Sequence, residues 1–68
     1  MMDEEASVLA RFGEHNYRAG HVVEVGHDKT HAGEVCVETY LSPLQREWVA
    51  EKDCVQRPLT VLQELGLA

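Results

Sequence analysis

The sequence predicts a small, mainly β or α+β domain, and three observations carry that reading. Val22, Val23 and Val25 form a short β-branched run enclosed by Gly20 and Gly26. Residues 34–41 alternate apolar and polar with period two. Residues 57–66 carry the signals of a terminal helix, with Pro58 at its start, leucines at 59, 62 and 65, and Gly66 as its stop.

Taken in order, residues 1–16 read as an N-terminal helical or frayed segment. Val8, Leu9 and Phe12 fall on one helical face, the acids Asp3, Glu4 and Glu5 suit the positive end of a helix dipole, and Gly13 ends the run. Residues 17–56 read as the β core. Its first strand lies around His21–Val25, and a polar loop follows between Gly26 and Gly33. The second strand sets Val35, Val37, Thr39 and Leu41 on one side and Glu34, Cys36, Glu38 and Tyr40 on the other. Two strands joined by one loop most simply pair antiparallel. Residues 43–56 read two ways. Ser42-Pro43 resembles a helix cap, with Leu44, Trp48 and Val55 sharing a face, whereas Arg46–Ala50 reads as a strand entered from a turn. The strand is the preferred reading, with the helix as its competitor. Residues 57–68 form the C-terminal helix.

The spacing of Gly20, Gly33, the Trp48-Val49 pair and the acidic turn at Asp53 resembles a small SH3-like β-barrel over residues 17–56. The resemblance is one of element order rather than of a signature motif. Barrels of this kind serve many functions, so it implies a fold and no activity.

Sixty-eight residues make one domain, 1–68. A core of this size supplies about 3–5 kcal/mol, and small domains commonly add a metal, a disulfide or a partner subunit. Twelve acidic against six basic side chains give a formal charge of −6, and the six Lys and Arg are scattered singly. Phosphate backbones are held by clustered cations, so nucleic acid is not expected as a partner. The acidic start lacks a signal-peptide pattern and no apolar run approaches a bilayer span, so no membrane partner is expected and a cytoplasmic location is. Cys36 and Cys54 are expected as free thiols in that setting.

Candidate functional residues fall in two groups. His27 and His31, four apart in the glycine-bounded loop, with His21 upstream and Cys36 downstream, offer zinc-type donors. The plainer alternative is a set of solvated loop histidines, since no CxxC or HExxH pattern accompanies them. Tyr17, Tyr40 and Trp48, with Leu59, Leu62 and Leu65, are candidate interaction residues, as aromatic and leucine side chains anchor protein interfaces. Trp48 is expected in the core and Tyr40 on an exposed or interfacial side. Glu34, Glu38, Glu47 and Glu51 read as a solvated sheet face rather than a paired-carboxylate site. No catalytic residue and no cofactor is implied. The functional expectation is a protein-interaction or assembly module, a homo-oligomer or the partner of another protein. The alternatives are an enzyme whose active site forms between subunits of a symmetric oligomer, and a metal-binding protein using the His27/His31 loop.

Overall fold

Five strands and one short helix account for the regular structure of the computed structural model, which describes residues 2–68. The strands are β1 (Ser7–Arg11), β2 (Tyr17–Val25), β3 (Glu34–Thr39), β4 (Arg46–Ala50) and β5 (Cys54–Gln56), and the helix is α1 (Leu59–Glu64). They form one antiparallel sheet in the order β4-β3-β2-β1-β5. The mainly β reading, the strand over 46–50 and the C-terminal helix therefore stand.

The N-terminal helix does not. Ser7–Arg11 is a strand at the heart of the sheet, paired with β2 on one side and β5 on the other. Val8 and Ala10 are fully buried and Ala6 and Phe12 pack against the same core, so the residues that mimic a helical face also alternate as a strand. Glu5 has φ of 71°, which no right-handed helix permits, and its N–H donates to the Val22 carbonyl at 2.7 Å. The tertiary ladder overrides the local spacing because β5 pairs with β1.

The sheet is curled but not closed into the expected barrel. β4 and β5 are its two edges, yet only the 3-10 turn Glu51–Asp53 separates them in sequence. Five flat strands would hold their edges about 19 Å apart. Four residue steps from Ala50 to Cys54 reach no more than about 14 Å. Curvature is thus imposed by chain length, and it brings Val49 of β4 and Cys54 of β5 into one cluster with Val8, Ala10, Val22, Val35 and Val37. The Cys54 thiol donates to the Ala50 carbonyl at 3.6 Å across this corner.

Two local devices shape what lies outside the core. A bulge between Val22 and Glu24 leaves Val23 unpaired with β3, so Val22 faces Val37, Glu24 faces Cys36 and Val25 faces Val35. The extra residue keeps Val25 against the core and turns Glu24 outward; strict alternation from Val22 would have put the carboxylate inside. At the other end of β3, Thr39 is buried and its hydroxyl accepts from the Gln45 N–H at 2.9 Å. Arg18 reaches the same Leu41–Gln45 turn, which contains a cis Ser42–Pro43 bond, and donates to the Leu41 and Pro43 carbonyls and to Gln45 Oε1. Leu41, expected on the buried side of the second strand, lies in this turn and is exposed.

Helix α1 ends in a Schellman arrangement. The Leu67 N–H donates to the Leu62 carbonyl and the Gly66 N–H to that of Gln63, with Gly66 at φ of 77°.

Candidate interaction sites

The β2–β3 loop is built to stand close to β4. Its base is closed by the Gly26 N–H donating to the Glu34 carbonyl at 3.0 Å. A side chain at Gly26 would overlap the His31 carbonyl, so only glycine lets the loop fold back this tightly. Asp28 then accepts the His31 N–H at 2.9 Å, the local turn expected of an Asp in a glycine-bounded loop. The result delivers the His31 imidazole onto the Trp48 indole, centroids 3.8 Å apart and planes within 10°. His31 Nδ1 is also 3.1 Å from Glu34 Oε1. Trp48, expected in the core, instead lies on the opposite sheet face, directly across from Cys36, because it alternates with the buried Val49.

A cleft of about 220 Å³ opens beside this stack. The stacked Trp48 and His31 supply its aromatic surface, Glu24 and Asp28 its carboxylates, and His27 lines it as well. No Lys or Arg lines it among the described residues. Glu24 arrives there through the β2 bulge, and its carboxylate has no hydrogen-bond partner within the described chain.

The four proposed metal donors are spread out. His21 stacks on Tyr40 with centroids 5.4 Å apart, His31 lies on Trp48, His27 is exposed and Cys36 is buried within β3. Among the described residues no group of three or more His, Cys, Asp or Glu side chains is arranged to hold a metal ion. The expected solvated glutamates are individually engaged in part. Glu38 pairs with Arg46, whose guanidinium holds its carboxyl below the usual range, and Glu51 accepts from the Met2 N–H at 3.1 Å.

The candidate interaction residues also divide. Tyr17, 57% exposed, lines a second cleft of about 230 Å³ with Val55, Arg11 and Lys52, where Arg11 is paired to Asp53 at 3.2 Å. Tyr40 is half-buried beside His21, and burial raises its phenol pKa. On α1, Leu62 is fully buried, whereas Leu59 and Leu65 are 42% and 65% exposed. Comparison with protein-family models, with curated proteins and with solved structures finds no match. No helix among the described residues is long and apolar enough to cross a membrane.

Both thiols are free and buried. Desolvation, then the Asp53 and Glu51 carboxylates, pushes the Cys54 thiol up from its ordinary 9.0 to about 11. The folded chain therefore keeps a proton that the unfolded chain releases first. This contribution to stability is complete below 9.0 and is lost as pH rises through about 11. Urea midpoints should fall across that window, and Cys54→Ala should flatten the fall. A wild-type midpoint that does not change there contradicts the buried placement of this thiol.

Proposed function

We propose that the protein is a small interaction and assembly module that self-associates through the outer surface of α1. The observation that supports this reading is the distribution of apolar side chains on the helix. Leu62 alone is fully buried, while Leu59, Val61 and Leu65 remain 42%, 37% and 65% exposed. At about 100° per residue, Leu59 and Leu65 flank the Leu62 stripe on either side. The apolar arc is thus wider than the body of the domain covers. Fully burying a leucine is worth roughly 1.5–3 kcal/mol, and a second copy that covered the exposed parts of two would add a sizeable share of the few kcal/mol such a chain commands. The SH3-like barrel belongs to the same reading: the three-residue turn between the edge strands β4 and β5, and the core cluster they share, draw the two edges toward each other as a barrel requires.

Light scattering at high micromolar concentration should give a mass above the 7.6 kDa of one chain. Leu65→Asp should return it to a monomer while leaving the sheet signal intact, since that side chain contributes little to its own domain. A wild-type monomer at that concentration refutes self-association.

A further inference from the structure

We propose that the cleft between the β2–β3 loop and β4 receives the guanidinium of an arginine side chain presented by a partner polypeptide. This goes beyond self-association and uses a different surface. The volume decides the size class first. Small-molecule and cofactor sites usually span about 300–1,000 Å³, and this cleft holds about 220 Å³. It suits a single side chain better than a cofactor.

Charge decides the sign. Two carboxylates, Glu24 and Asp28, line the cleft, and Glu34 stands behind the His31 ring. Of the cations on the packed elements, Lys29 of the loop does not line the cleft, and Arg46 of β4 is paired with Glu38 while its guanidinium also feels the Glu24 charge without a hydrogen bond to it. Asp28 spends one oxygen on the His31 N–H, whereas Glu24 spends none within the described chain. An incoming cation would meet two exposed carboxylates that hold no side-chain hydrogen bond to a Lys or Arg, in a chain whose formal charge is already −6.

Shape decides between the two cationic side chains. The two rings form a closed stack, so a guanidinium would lie against the outward side of the pair rather than between its rings. His31 lies on Trp48 within 10° of parallel, with its Nδ1 at 3.1 Å from a carboxylate oxygen. A planar group of stacked nitrogens in contact with a carboxylate is the arrangement a guanidinium repeats, through cation–π contact and a forked pair of hydrogen bonds. An ammonium is a point charge without a face to stack, so lysine gains the charge term and loses the rest.

The chain holds one tryptophan, so its indole N–H gives one resonance to follow by NMR. The full chain would be titrated with three capped Gly-Ser peptides that differ only in a central Arg, Lys or Glu pair. The expected result is a saturable shift of the Trp48 indole with the Arg peptide, binding at least fivefold weaker with Lys, and no saturable shift with Glu. Glu24→Gln alters an exposed side chain with no intramolecular hydrogen bond, so the fold stays intact and the Arg affinity should drop about tenfold, the range of one charge-assisted hydrogen bond. Equal binding of the Arg and Lys peptides overturns the proposal, as does a Glu24→Gln protein that binds like wild type. Absence of any saturable shift up to millimolar Arg peptide overturns it as well.

Discussion

Gly20→Ala should remove a large share of the stability of the fold. The direction runs against simple propensity, since glycine inside a strand costs roughly 0.5–1 kcal/mol relative to alanine and Gly20 has ordinary negative φ. Packing decides otherwise. A Cβ at Gly20 would overlap the Glu38 carbonyl oxygen and would sit 2.8 Å from Val37 Cγ1. The first obstacle is backbone and cannot rotate away, so β2 and β3 must part where Gly20 faces Thr39 and His21 faces Glu38. Overpacking of this kind costs about 1–3 kcal/mol or more, against a total of about 3–5 kcal/mol for such a domain. Gly33→Ala is the matched control. It has φ of 76° but no atom within 4 Å of its Cβ, so it should lose only the conformational cost of about 1–2 kcal/mol. Urea titrations followed by far-UV circular dichroism compare the three proteins. A Gly20→Ala midpoint equal to wild type would show that the two strands do not approach as described.

The second large effect is expected at Leu62. It is fully buried and is the one buried residue of α1, so it is the main anchor of the helix to the body. Truncating a buried leucine costs about 2–5 kcal/mol through lost transfer free energy and the cavity left behind. Leu62→Ala should therefore shift the global transition, lowering the thermal midpoint by ten degrees or more at roughly 4–8 °C per kcal/mol for a domain this small. Leu65→Ala, largely exposed, should stay within about 1 kcal/mol of wild type. If Leu62→Ala loses only helical signal while the sheet melts as before, α1 is an appendage and not part of the cooperative unit.

These two positions also show how legible the chain was. Gly20 was visible as a strand boundary by its composition, but it is an interior strand residue, kept small by a carbonyl eighteen positions away that no local pattern announces. Leu62 was legible as part of a helical leucine row. Which of Leu59, Leu62 and Leu65 faces fully inward was not, because the three share one face and the body covers only Leu62 completely. The cleft was partly legible: the histidines and Asp28 stood out in a loop between glycines. Its key elements were not, since Trp48 reaches His31 only through strand pairing and Glu24 turns outward only because of an unpaired residue at Val23.

By itself the sequence determined the β-rich class, the strand alternation of residues 34–39, the turn at Gly26–Gly33, the helix after Pro58 and the absence of a basic stripe. These follow from steric preference and short-range periodicity, which act over a few residues. Only the tertiary structure decided that residues 7–11 are a central strand, that the sheet curls without closing, and that Trp48 leaves the core to stack under His31. Each depends on which segments meet across the chain, where a few hydrogen-bonded partners and a buried valine cluster outweigh local helical spacing.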